Sequence, residues 1–212
     1  GYVRAVHKVF KQLYDKGYIY RDNYMVNWDP GTRSAISDLE VENREVVDTL
    51  YYIDYPLEDS DEVLTVATVR PETMLGDTAV AVNPTDERYN HLIGMHCVLP
   101  LVGRRLQIIG DEQVDPDFGT GALKITPGHD PKDFEMGRVH GLTEIVVIGP
   151  DGRMNAEAGE FEGLSAAEAQ RAVVAALREA GSLSKKETYT HSVPFSHRSG
   201  ERIEPLISLQ WF

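Results

Sequence analysis

Between Glu45 and Gly149 the chain is a succession of short runs rich in β-branched and aromatic residues, each stopped by glycine, proline or another turn-forming residue. VVDTLYYID (46–54), LTVATV (64–69), TAVAV (78–82), CVLPLV (97–102), RLQIIG (105–110) and EIVVIG (144–149) all have this form. Runs of this length and composition read as strands. Many short strands with such punctuation suggest a closed sheet, because closure removes exposed edges. The expectation is therefore an α+β fold with a β-barrel-like body and short helices. Two helices stand out. Val6, Val9, Phe10, Leu13 and Tyr14 recur at helical spacing and Gly17 stops them. In SAAEAQRAVVAALREAG (165–181), Ser165 is a predicted N-cap and Glu168 completes a capping box. Val173, Val174 and Leu177 share one face of that helix, and Gly181 ends it.

These elements divide the chain into a body over 46–187 and flanks over 1–45 and 188–212. The flanks are predicted to be helical or irregular and to pack on one another. Residues 18–45 carry turn chemistry, including Asp29-Pro30-Gly31.

The chain is 42% apolar, enough for a core, and carries a formal net charge of -13. Such a charge argues against a broad basic surface for nucleic acid, so any RNA contact should be local, through a few Lys and Arg. Cys97 is the only cysteine. No intramolecular disulfide or cysteine-based zinc knuckle can form, and Cys97 reads as a buried small hydrophobe. No apolar run approaches the ~20 residues of a membrane span. GYVRAVHKVF does not have the form of a signal peptide. A soluble, cytoplasmic protein without a membrane partner is the expectation. The amphipathic opening and the Trp211-Phe212 end read as part of something larger.

Two segments carry chemistry. In ATVRPETMLGDTAVAVNP (67–84), a strand runs into Arg70-Pro71-Glu72-Thr73, then a Gly-containing bend, then a second strand. Proline ends sheet pairing and frees backbone groups. Free amides and the hydroxyls of Thr68 and Thr73, beside the Arg70 guanidinium, suit an oxygen-rich ligand. A plain strand–loop–strand connection with a surface Arg fits the same residues. In GTGALKITPGHDPKDFEMG (119–137), Gly119 and Gly121 allow tight backbone geometry, and LKIT places Lys124 and Thr126 on one face of a strand. Asp130, Pro131 and Asp133 then stand where an N-cap, a first helical residue and a third helical residue belong. Both carboxylates merely begin a helix, or else the helix start presents them, kept ionised by free amides and dipole, to a pocket.

Taken together, the two segments resemble the signature segments of the inserted editing domain of class I aminoacyl-tRNA synthetases. The forms RPETMLGDTAVAV and KITPGHDPKDFE are similar to those of the valine enzymes of that family. NWDPGTRSAISDLEVE (27–42) and IEPLISLQWF (203–212) resemble the stretches that bracket the insertion, so the likeness covers nearly the whole chain. The 1–45 flank would then lead toward the synthetase core. Some family members bind zinc through cysteine pairs in these flanks. Here WDPGTRSA and SHRSGERI hold no cysteine, so no metal is expected, and His191 and His197 read as ordinary histidines. Neither HIGH nor KMSKS occurs. No cofactor is expected in this chain, since ATP and Mg would serve the parent enzyme's synthetic site.

The resemblance implies hydrolysis of threonine mis-esterified to valine tRNA. The implied partners are the acceptor end of that tRNA and the rest of the parent synthetase. An apolar synthetic pocket rejects a near-isostere carrying a hydroxyl only weakly, whereas a second site that hydrogen-bonds the hydroxyl reverses the preference. Neither a Ser–His–Asp nor a Cys–His grouping presents itself, and an ester is already activated. A positioned water without a covalent intermediate is the implied mechanism. The catalytic residues implied are Lys124, Thr126 and Asp130. Thr68, Arg70, Thr73, Asp130 and Asp133 are implied to bind substrate. Among these, Asp130 would bind the α-ammonium, Asp133 the threonine hydroxyl, and Lys124 the developing negative charge. A free-standing ester hydrolase, a non-catalytic module for the tRNA acceptor end and a β-rich structural domain are the alternative readings.

Overall fold

The computed structural model describes residues 1–212. The chain opens with α1 (Tyr2–Asp15), followed by the hairpin strands β1 (Arg21–Asp29) and β2 (Ser34–Ile36). A long strand β3 (Val41–Pro56) leads into β4 (Val63–Thr68) and β5 (Ala79–Val82). Then come β6 (His96–Val98), β7 (Arg105–Gly110) and β8 (Ala122–Ile125). Two helices, α2 (Pro131–His140) and α3 (Ala166–Glu179), precede β9 (Leu183–Ser196) and β10 (Glu204–Trp211).

The fold is mixed α+β, but the strands do not close into a barrel. They form three small sheets, ordered β10-β1-β2, β4-β3-β9 and β6-β7-β5-β8. β3 pairs with β9 over almost its whole length, from Val41↔Ser196 to Ile53↔Leu183, and with β4 only near its end. No ladder joins β4 to β8; just ahead of β8, the hydroxyl of Thr120 donates to the carbonyl of Thr65 in β4 (2.6 Å). β3 and β9 also run through positions 45/46 and 187/188, so one antiparallel ribbon connects the flanks to the body.

The flanks differ from the expectation of helix and irregular chain. β1 pairs antiparallel with β10 from Arg21↔Trp211 to Trp28↔Glu204. The partner lies far away in sequence, so local turn chemistry in 18–45 could not reveal it. The turn at Asp29–Gly31 does form, with Asp29 Oδ1 accepting from Gly31 N (2.9 Å) and Thr32 N (3.2 Å).

Of CVLPLV only Cys97 and Val98 lie in a strand, the chain turning after them, and EIVVIG is a further departure. It runs extended but joins no sheet, apart from an isolated bridge at Ile148. Its backbone groups pair elsewhere. Val147 N donates to His129 Nε2 (2.8 Å), and the Asn155 amide donates to Val146 O (2.7 Å). The segment lies directly over both signature segments: a Cβ built on Gly76 or Gly128 would meet Ile145 O at 2.8 or 2.1 Å. Glycine at these two positions is what lets it pass.

Both faces of β5 are buried. Val80 and Val82 enter the main core with Ile53, Leu64, Leu106 and Leu177, while Ala79 and Ala81 pack against Ile109, Ile125 and Met136 on the other side. α3 contributes Ala169, Val173, Val174 and Leu177 to burial, with the Ser165/Glu168 capping box in place. Cys97 is fully buried, and burial pushes its thiol up to about 12.

Candidate functional site

The two signature segments are neighbours because their strands pair. β5 and β8 are antiparallel, with Ala79 opposite Ile125 and Val80 opposite Lys124. β4 delivers Thr68 and then breaks at Pro71 into a short 3-10 turn, Pro71–Gly76. β8 delivers Lys124 and Thr126, and the chain turns at Pro127-Gly128 into the start of α2.

A cavity of about 360 Å³ opens at this junction, and all seven sequence-predicted residues line it: Thr68, Arg70, Thr73, Lys124, Thr126, Asp130 and Asp133. A neighbouring cavity of about 500 Å³ shares Ala67, Leu123, Asp130 and Asp133 with it and extends past Gly119 and Gly121 to Phe118, which is 47% exposed. Both glycines have positive φ, 60° and 83°, as their tight turn requires.

The helix start is built as its residues predict. Asp130 is the N-cap of α2 and Pro131 takes the first turn. Asp130 Oδ1 accepts from Lys132 N (2.8 Å) and Asp133 N (3.2 Å), while Oδ2 is left to the cavity and solvent. Asp133 turns inward. Its Oδ2 accepts from Thr126 N (2.8 Å), which ties the helix start to the end of β8, and its Oδ1 has no protein partner. The helix start does not hold Asp133 in the ordinary carboxylate range. Burial first, and then the neighbouring Asp130 charge, raise its pKa from the ordinary 3.8 to about 7, against the opposing pull of Lys124.

Lys124 is almost fully enclosed. Its ammonium donates to Asp77 Oδ1 (3.0 Å), Thr73 Oγ1 (3.2 Å) and Thr126 Oγ1, so its three hydrogens each meet an acceptor. Asp77 is itself buried and also accepts from Tyr55 Oη (2.7 Å) and Thr126 Oγ1. Burial raises the Asp77 pKa, and Lys124, Thr126 and Tyr55 pull it back. Removing one member of such a buried pair typically costs about 3–5 kcal/mol.

Arg70 is equally committed. Its Nη2 donates to both oxygens of Glu204 (2.8 Å each) and its Nε to Glu72 Oε1 (3.1 Å). Burial works against its charge, but Glu204 and Glu72 outweigh it and raise the pKa. Thr68 Oγ1 accepts from Arg70 N (3.0 Å), leaving its own hydroxyl hydrogen for a ligand. Thr73 donates instead to Arg70 O (2.9 Å).

Asp77, His129, Arg202 and Glu204 are not among the residues the sequence predicts for this site. His129 lies in the second segment, buried at the cavity wall. Its Nε2 accepts from Val147 N, so the ring hydrogen sits on Nδ1, 3.5 Å from Glu204 Oε1. Burial lowers its pKa and keeps the ring neutral, with Glu204 pulling the other way. Glu204 comes from the C-terminal flank, and a lone arginine beside a proline-bounded loop calls for some carboxylate. With 34 Asp and Glu in the chain, spacing alone does not say which. His191 pairs with Asp48 (2.8 Å) and His197 with Glu42 (2.8 Å). No three His, Cys, Asp or Glu side chains come together as a metal cluster.

The model of the family described as tRNA synthetases class I (I, L, M and V) matches residues 1–212. Valine–tRNA ligase of Parasynechococcus marenigrum (strain WH8102) is 56% identical over 212 residues, all of this chain and 23% of the relative. Valine–tRNA ligase of Bacillus anthracis is 54% identical over the same span, and that of Streptococcus pyogenes serotype M3 is 52% identical; in both the match covers 24% of the relative. The chain thus spans about a quarter of the length of these relatives. The fold is also similar to a chain in the LeuRS-tRNA-LeuAMS ternary complex of Agrobacterium radiobacter K84. There the TM-score is 0.53 at 20% identity, covering 93% of this chain and 32% of that one. On the family model and these identities together, the chain belongs to the class I tRNA synthetases (I, L, M and V).

Proposed function

We propose that this chain is a proofreading hydrolase within a valine–tRNA ligase, releasing threonine wrongly esterified to valine tRNA. The observation that carries this reading is the pair of free carboxylate oxygens at one helix start: Asp130 Oδ2 at the exposed rim and Asp133 Oδ1 in the buried wall of the same cavity. The first suits an ammonium, the second a hydroxyl. The threonyl end of the substrate has both groups, and a valyl end lacks the second.

The adjoining cavity with its exposed Phe118 face suits the terminal base, since an aromatic side chain stacks on any base. Thr68 offers its hydroxyl hydrogen to the ribose or the ester carbonyl. Water is the nucleophile. Cys97 is buried with its thiol pushed up to about 12, and His129 uses its only basic nitrogen to accept backbone amides. Lys124 stabilises the developing oxyanion by exchanging a neutral threonine hydroxyl for it. That interaction is stronger in the transition state than in the ground state, which is the condition for catalysis. Arg70, held by two carboxylates, serves as a rigid wall behind Thr68 and Thr73. ATP, Mg and the synthetic site belong to the remainder of the ligase. The chain acts in the cytoplasm as part of that larger protein.

The test is incubation with threonyl-, valyl- and isoleucyl-esterified tRNAs, following release of amino acid. Rapid release of threonine with valine largely spared is the expected result. Binding of all three without release would replace catalysis by the acceptor-end binding module.

A further inference from the structure

Three cations line the cavity, and their partners differ. Arg70 is held by Glu204 and Glu72, and Lys124 by Asp77 and two hydroxyls. Arg202 is the third. It stands between β9 and β10, where it bridges to Phe195 and the next residue, Ile203, donates its amide to Pro194 O (3.0 Å). Its backbone is therefore fixed to β9. A guanidinium has five N–H donors. That of Arg202 makes a single long hydrogen bond, Nη1 to Asp48 Oδ2 at 3.5 Å, and His191 already holds the same oxygen at 2.8 Å. The side chain is 39% exposed. It lines both the candidate cavity and a second one of about 470 Å³, as Arg70 does. Partial burial, and then the nearby Arg70 charge, lower its pKa against the opposing pull of Asp48, Glu72 and Glu204.

We infer that Arg202 is the anion anchor of the site and takes a phosphodiester oxygen of the acceptor strand beside the esterified nucleoside. The inference rests on the proposed function. In that substrate the amino acid brings an ammonium and a neutral ester, so the phosphates are its only anions. A planar guanidinium with open donors matches a phosphate in two-point geometry, whereas Lys124 has every hydrogen engaged and Arg70 is already neutralised by Glu204 and Glu72. In a chain of net charge -13 the recognition of a polyanion depends on such local cations.

The experiment compares Arg202→Gln and Arg202→Lys with the wild type, in the intact protein, on two substrates. One is threonyl-tRNA; the other is threonyl-adenosine, the same ester without a phosphate. With Arg202→Gln, KM for the tRNA ester should rise about tenfold more than KM for the nucleoside ester, with kcat for the tRNA changed less than KM. The dependence of log KM on log salt should become shallower by about 0.7, the loss of one single-strand phosphate contact. Arg202→Lys should restore the salt slope, because the point charge returns. Equal losses on both substrates, or an unchanged salt slope with Arg202→Gln, would overturn the anchor. If the wild type hydrolyses neither ester, the proofreading reading fails by itself. Salt-dependent binding of a CCA-ended oligonucleotide by wild type and Arg202→Gln then decides the phosphate contact separately, and equal slopes for the two proteins would refute it.

Discussion

The starts of α2 and α3 are written with nearly the same signals and do different work. At α3, Ser165 Oγ accepts from Glu168 N (3.4 Å) and Glu168 Oε2 accepts from Ser165 N (2.9 Å), a closed exchange. At α2, Asp130 accepts from the first free amides, but Asp133 does not complete the exchange. It reaches instead to Thr126 N on β8 and is 7% exposed, against a solvated Glu168. A capping residue whose side chain satisfies its own helix is finished locally. One that is pulled into a wall by another element keeps an open oxygen and acquires a shifted pKa. The difference lies in what the third helical side chain bonds to: the end of β8 at α2, and the cap residue of its own helix at α3.

The largest effect that would break this comparison concerns Asp133. If it only supports a helix, as Glu168 does, Asp133→Ala should weaken folding and slow every ester alike. If Asp133 Oδ1 reads a hydroxyl, the ratio of threonine to valine release should fall by roughly 10- to 150-fold, the worth of about 1.5–3 kcal/mol for a bond to a charged acceptor. Release of valine should hold or rise, since its methyl group no longer faces an unpaired carboxylate. Asp130→Ala is the control, because every aminoacyl ester carries the ammonium and all should slow together. Asp133 is a cleaner target than Lys124, whose removal also strands the buried Asp77.

A smaller effect follows from the raised pKa. Asp133 titrates near 7 in the folded chain and near 3.8 unfolded. The folded state therefore holds the extra proton between these values. Stability from this group is greatest below about pH 4, declines as pH rises toward 7, and is level above. Hydroxyl reading runs the opposite way, because it needs the ionised form. The threonine-to-valine ratio of kcat/KM should climb by up to about tenfold between pH 6 and 8, with a midpoint near 7. With Asp133→Asn the ratio should be flat. A wild-type ratio that is also flat would show that Asp133 does not discriminate through its charge.

The smallest effect is at α3. Ser165→Ala should cost about 0.5–2 kcal/mol, read by urea unfolding, and leave the threonine-to-valine ratio unchanged. A shift in that ratio would mean that the two helix starts are not separate in function.

Much of this was legible along the chain, because it depends on residues close in sequence. The caps at Ser165 and Asp130, the apolar face of α3, the positive-φ glycines 119 and 121 and the shared face of Lys124 and Thr126 all follow from local spacing. The seven predicted site residues sit in two continuous segments, and pairing of β5 with β8 brings those segments to one cavity. The partners of these residues were not legible. Glu204 reaches Arg70 from another sheet, Asp77 closes on Lys124 in the buried interior, and His129 draws the amide of Val147 away from any ladder. EIVVIG has strand composition, yet its backbone groups are satisfied by His129 and Asn155. β1 has turn-like surroundings, yet β10 makes it a strand. Spacing along the chain determined which groups share a face and how each helix begins. Tertiary structure alone decided which charges are committed and which stay open, because burial and ion pairing depend on contacts across the fold that carry no period in sequence.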